Sequence, residues 1–519
     1  MTVGGRVLRY TAKAGLIPIR DNETGDAHGH VFFVSYTLER ASGGARRPVT
    51  FVWNGGPGAN STLVHLSGFG PRRIGSTDDP AKPTPIEPAL EDNETTWLGA
   101  TDLVFVDPVG TGFSRPTKAE YAAEFYSTLG DIASITEFVR VYLTHFDLLD
   151  VPIFVAGESY GAWRASGVAE GLEKRGLRVT GVMMISGGIQ MGPVSPDAVR
   201  TALFVPSRTA AAFYHHRLSP ELMRDETATL KEVERWAVAD YAPAWQRRDT
   251  LNDAERKTVI AQLARYTGVN PSAIDAKLLM MTSPPFRSEL LRDEHVTLGR
   301  YDMRIKEHSA TAGERESPVE RNLLIARYLR IDLGFNTDLA YQGLEVGYSP
   351  APEGRGASVG SRWIWNQAEA SMTADQASAD RARGPVSSTV GSGDGPPGGS
   401  QPWLRRAMTH NPLLRALVAA GQYDSLNSCA DNDYVVTHVE PQFRANLTAR
   451  CYPAGHMMYD TRAARARGSL ADGRAECFFA RFAPFAVDPS CATRPARPRA
   501  ESCRSIWRCG GKVVAPRRR

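Results

Sequence analysis

No cysteine precedes Cys429 in this chain of 519 residues. Of the six present, Cys477, Cys491, Cys503 and Cys509 fall in the last stretch, leaving Cys429 and Cys451 alone in the body. No C-x-x-C pair occurs, so no zinc or other metal site is expected. Whether Cys429 and Cys451 pair is left open, because spacing alone does not decide it. No apolar run reaches the roughly 20 residues that cross a bilayer, so no membrane span is expected. The opening Met1-Thr2-Val3-Gly4-Gly5-Arg6 lacks the apolar core of a secretory leader. Two readings of its location stay open: a protein that remains inside, or a chain whose leader precedes Met1. A single-sign charge excess is also missing. The net charge of +4 hides a basic end, with thirteen Arg and one Lys against four acids after Asp460. The rest holds 47 basic and 53 acidic residues, which argues against nucleic acid as a partner.

What is present centres on residues 151–163, Val-Pro-Ile-Phe-Val-Ala-Gly-Glu-Ser-Tyr-Gly-Ala-Trp. An apolar, β-branched run reads as a buried strand. It breaks at Gly157-Glu158-Ser159-Tyr160-Gly161, and helical spacing follows at Ala165, Val168, Ala169 and Leu172, stopping at Gly176. Strand, sharp turn with serine at its apex, then helix is the pattern of a nucleophile elbow. The motif alone is weak, and its context gives it weight.

The rest of the chain supplies partners. Residues 31–38 and 48–53 read as two strands, expected to be neighbours across the turn at Ser42-Gly43-Gly44. The second runs into Trp53-Asn54-Gly55-Gly56-Pro57-Gly58, a tight loop whose free N–H groups suit an oxyanion. Residues 102–107 form a further buried strand ending in Pro108 to Ser114. An amphipathic helix follows, with Ile132, Ile135, Phe138, Val139 and Tyr142 on one face. Strands alternating with helices imply an α/β fold with a mostly parallel sheet. The expected organisation is a first core segment at 1–194, a mainly helical lid at 195–371 and a flexible Gly/Ser/Pro-rich insert at 372–402. A second core segment at 403–459 and an atypical, poorly ordered basic tail at 460–519 complete it.

The second core segment carries Gly421-Gln422-Tyr423-Asp424 directly after an apolar strand, at the sheet edge where the elbow serine also sits. Thr448 to Tyr452 then leads into Pro453-Ala454-Gly455-His456. Among eleven histidines, only His456 lies in a glycine-containing loop just past a strand and after Asp424. The order Ser159, Asp424, His456 is that of α/β-hydrolases.

These segments together resemble the serine carboxypeptidase family, peptidase family S10, in its bacterial branch. The resemblance spans roughly residues 6–459 and rests above all on the paired W-N-G-G-P-G and G-E-S-Y-G. It implies an α/β-hydrolase fold without a cofactor, acting on the carboxyl ends of peptides or proteins. It gives Ser159 the role of nucleophile, His456 that of base then acid, and Asp424 that of holding the histidine. The oxyanion hole falls on the N–H groups of Gly56 and Tyr160; the second also follows from the elbow itself. The substrate's terminal carboxylate falls to Asn54 and Glu158. A glutamate can serve there only when protonated, since two carboxylates repel.

The chain departs from the family in places. Ala162 stands where a second glycine is usual, and Asn60-Ser61 replaces a Ser-Ser pair. Gly68 occupies the place of a glutamate that supports the carboxylate-binding one in eukaryotic members. The tail after Tyr459 lacks the expected closing amphipathic helix. Two alternatives to the carboxypeptidase reading follow: an esterase or acyltransferase on the same triad, or a homologue impaired by its tail. The sequence carries no signal for oligomeric state.

Overall fold

In the computed structural model the described residues are 1–3, 5–39, 46–75, 89–308, 318–343, 359–367 and 400–459. The tail at 460–519 and nearly all of the insert expected at 372–402 lie outside them. Ser400 and Gln401, the described end of that insert, bond to Ile189 O and to Gln190 Oε1, each at 2.8 Å.

Eight strands build the central sheet: β1 (Tyr10–Arg20), β2 (Ala27–Leu38), β3 (Val49–Trp53), β4 (Asp102–Asp107), β5 (Ile153–Glu158), β6 (Val179–Ile185), β7 (Arg415–Gly421) and β8 (Leu447–Tyr452). Their order is β8-β7-β6-β5-β3-β4-β2-β1, with a two-residue strand, Arg115–Pro116, added to β2. From β8 to β4 every pairing is parallel; β2 and β1 join antiparallel. The strands β3 and β5 are buried along their whole length, as the centre of a parallel sheet requires.

One expectation is overturned. The strands of residues 31–38 and 48–53 are not neighbours, because β4 lies between them, antiparallel to β2 and parallel to β3. A turn signal marks where the chain reverses, but not which strand fills the adjacent slot. The uniformly buried β3 is satisfied by two parallel neighbours, and β4 supplies one of them.

Helix α1 (Thr128–His145) and helix α2 (Tyr160–Lys174) pack together on one face. The predicted stripe of α1 is buried against Phe33, Phe51 and the rest of the main core. Helix α1 begins at Ser127, whose hydroxyl accepts from the Gly130 N–H, a standard N-cap. Helix α3 (Trp403–His410) packs beside α2, and helix α4 (Cys429–His438) lies against β8.

Between β6 and β7 the chain runs through short helices, including Val205–Tyr214, Glu226–Trp236 and Asp253–Thr267. They share an apolar core of their own around Leu222, Val233, Tyr241, Leu263 and Phe286. This stretch also holds a small hairpin of Val296–Leu298 and Lys306–His308. Later parts of the segment read as a lid return to the main body. Tyr328 bonds to Tyr36 at 2.7 Å, and Tyr341 donates to Asp107 at 2.9 Å.

Candidate active site

Ser159 sits at the turn between β5 and α2 with φ 59° and ψ −127°. A non-glycine residue at positive φ stores strain, and the surroundings must hold it there. Its N–H donates to Ile185 O at 2.8 Å, tying the turn to β6. The elbow glycines are there for room. A Cβ on Gly157 would lie 1.8 Å from Gly161 O, and one on Gly161 would lie 2.8 Å from Asn54 O.

The glycine loop after β3 comes equally close. A Cβ on Gly55 would stand 2.6 Å from the Tyr160 nitrogen, so this backbone runs against the first turn of α2. Gly56 follows at φ +100°. Among the described residues neither the Gly56 nor the Tyr160 N–H donates a hydrogen bond. Two such donors on adjoining backbones, one at a helix N-terminus, suit a developing negative charge.

Asp424 is fully buried just past β7. Its Oδ1 accepts from the Leu426 N–H at 2.8 Å. Its Oδ2 accepts from Asn427 Nδ2 at 2.9 Å and from His456 Nδ1 at 2.7 Å. A carboxylate only accepts, so Nδ1 carries the imidazole proton and Nε2 is left as the basic nitrogen. The histidine's backbone is held at both ends. His456 N–H donates to Tyr301 O at 2.6 Å, and its carbonyl accepts from Ser186 Oγ at 2.5 Å. Asn427 also donates to Ser186 O at 2.8 Å, joining the aspartate loop to the end of β6. Burial works to lower the pKa of His456. The charge and hydrogen bond of Asp424, with the charge of Glu158, outweigh it and leave the imidazole above its ordinary value. Ser159 Oγ makes no hydrogen bond among the described residues.

Asn54 directly follows β3 and Glu158 ends the adjacent β5, and both are buried. Asn54 Oδ1 accepts from the Val64 N–H at 3.1 Å, which leaves its amide NH₂ as the donor to its surroundings. Glu158 Oε2 accepts from the phenol of Tyr459.

Several positions went unread in the sequence. Asn427 and Ser186 brace the Asp424–His456 pair, and Tyr301 reaches it from the helical insertion, its ring 5.4 Å from the imidazole. Behind the elbow, the fully buried Arg164 donates to Asp131 at 2.7 Å and to Asn54 O at 2.7 Å. Tyr160 OH also donates to Asp131, at 3.0 Å. An arginine on the otherwise apolar face of Ala162, Ala165 and Val168 was the visible signal of that network. Asn427, three residues past the aspartate, carried none. Among the described residues no cluster of His, Cys, Asp or Glu suits a metal ion, and no helix is long and apolar enough to cross a membrane.

A mostly parallel sheet with helices on both faces, a strained serine between strand and helix, and an acid and a histidine in the loops after successive strands define an α/β-hydrolase fold. Residues 6–175 match the family model described as serine carboxypeptidase. A pheromone-processing carboxypeptidase kex1 of Aspergillus niger is 27% identical over 210 residues, 40% of this chain and 31% of that protein. The retinoid-inducible serine carboxypeptidase of Homo sapiens is 32% identical over 145 residues, 27% of this chain and 28% of that protein. The matches thus span less than a third of these relatives' length. The crystal structure of the Saccharomyces cerevisiae prohormone-processing carboxypeptidase Kex1(delta)p shares the fold. Its TM-score is 0.51 at 17% identity, over 90% of this chain and 91% of that one.

Proposed function

We propose that the protein is a serine carboxypeptidase that removes residues from the carboxyl ends of peptides through an acyl-enzyme. The observation that carries this reading is the buried Asp424–His456 pair, braced by Ser186 and Asn427 beside the Ser159 turn. The family match of the elbow segment supports it.

In this mechanism the Ser159 hydroxyl gives its proton to His456 Nε2 as Oγ bonds to the scissile carbonyl carbon. The carbonyl's electron pair moves onto oxygen, where the Gly56 and Tyr160 N–H groups receive it. His456 passes the proton to the leaving nitrogen as the C–N bond breaks, and the new amine departs. Water then repeats the sequence on the acyl ester, losing a proton to His456 and freeing Ser159. Asp424 keeps the tautomer and stabilises the transient imidazolium. Asn54 donates to the substrate's terminal carboxylate, and Glu158 does so while protonated. Such a requirement favours acid conditions for free-carboxylate substrates.

The test is amino-acid release from blocked dipeptides, beside hydrolysis of a simple ester and labelling by a fluorophosphonate. Release that disappears in Ser159→Ala, by about 10⁴-fold or more, is the expected outcome. Ester cleavage without amino-acid release would move the protein to the esterases. Absence of labelling would mark a catalytically silent binding protein.

A further inference from the structure

Glu158 has a partner that the mechanism above does not use. The phenol of Tyr459, three residues beyond His456, donates to Glu158 Oε2. Both groups are buried, Tyr459 at 4% exposure and Glu158 at 2%. The ring is held independently of its hydroxyl. It packs edge-on to Phe69 with centroids 5.3 Å apart and lies over Gly68, where a Cβ would stand 3.5 Å from ring carbon Cγ.

Other groups face Glu158 as well. His456 approaches from the loop after β8, and its charge couples to that of Glu158; Asp424 and Arg300 also act on that histidine. The register partner of Glu158 on β6 is the neutral Ile185, with Ser186 next in the chain, and the neutral Asn54 directly follows the neighbouring β3.

We propose that Tyr459 is a positioning residue for Glu158, fixing Oε2 as acceptor so that Oε1 bears the proton used in carboxylate recognition. The same hydrogen bond sets the pH at which recognition is lost. A phenol donates more strongly to a carboxylate than to a neutral carboxyl group, so it favours the ionised form. Removing the hydroxyl therefore lets Glu158 hold its proton to higher pH. The inference rests on the carboxypeptidase reading of Ser159, Asn54 and Glu158.

The experiment compares kcat/KM against pH for a blocked dipeptide with a free carboxylate and its amidated counterpart. Wild type, Tyr459→Phe, Glu158→Gln and the double variant are measured. In Tyr459→Phe the alkaline fall for the free-acid peptide should move up by about one pH unit, while the amidated peptide, which needs no proton on Glu158, shows no such fall to move. Adding Tyr459→Phe to Glu158→Gln should shift nothing further. A 3-fluorotyrosine at position 459, a stronger donor of the same shape, should move the fall the other way. That variant keeps the test alive should the phenylalanine protein fail to fold. An unmoved fall in both Tyr459 variants, or an equal shift in the Glu158→Gln background, overturns the assignment of Tyr459. Identical wild-type profiles for the two peptides would instead remove carboxylate recognition by Glu158, and the Tyr459 proposal with it.

Discussion

His456 is pulled in two directions, and its titration can be read in the laboratory. Burial opposes its charge, while Asp424 and Glu158 favour it and win. A base works only when neutral, so kcat/KM on an amidated peptide should rise with pH through a value above the usual 6.5 of histidine. Glu158→Gln deletes one of the favouring charges and should move that rise to lower pH. A rise that stays in place would show that the two groups do not couple. The folded value lies above the unfolded one, so the stability gained is full below about pH 6.5 and lost as pH climbs through the folded value. The melting temperature should decline across that window, and His456→Gln should remove that part of the slope. Asp424→Asn presents an amide to Nδ1 and favours the wrong tautomer. Turnover should fall by about 10⁴-fold with binding near normal.

At the scale of elements, two ties hold the site from behind. The Cys429–Cys451 disulfide links the start of α4 to β8, closing a loop of sequence separation 22. The aspartate loop runs into α4, and the histidine loop leaves β8. One covalent bond thus joins the supports of both residues. Replacing both cysteines by serine should cost about 3 kcal/mol by loop entropy, read as a lower denaturation midpoint. If the loops also loosen, kcat should drop more than KM changes. The second tie is Arg164 with Asp131, an ion pair with almost no solvent contact at either end. Burial pushes the Asp131 carboxyl up, against the pull of Arg164 and Tyr160. Asp131→Ala leaves a buried guanidinium without its carboxylate and should cost about 3–5 kcal/mol in chemical denaturation. A loss under 1 kcal/mol would show that water or Asn54 O compensates.

Over the whole molecule, what the sequence disclosed follows from local physics. β5, the serine turn and α2 announce themselves within residues 151–176, because a period change and two glycines mark them. The pairing of Asp424 with His456 was legible because the acid follows an apolar strand and the histidine lies in a glycine-containing loop past the next one. The place of β4 between β2 and β3 was not, since strand order depends on long-range pairing that no local turn encodes. The reach of Tyr301 to His456 and of Tyr459 to Glu158 was equally hidden, each being a contact between segments far apart in the chain.

The β5 turn is complete once residue 161 is made, yet the acid and the histidine stand 265 and 297 residues beyond Ser159. At ~5–20 residues per second a ribosome needs about 15–60 s to cover the longer distance. Throughout that interval the growing chain holds the elbow serine without Asp424 or His456. The two strands that bring its partners, β7 and β8, add to the sheet last, beside β6. On the proposed mechanism, hydrolysis would wait for nearly the whole described chain, and a product of translation ending before His456 would carry the elbow serine without its proposed base.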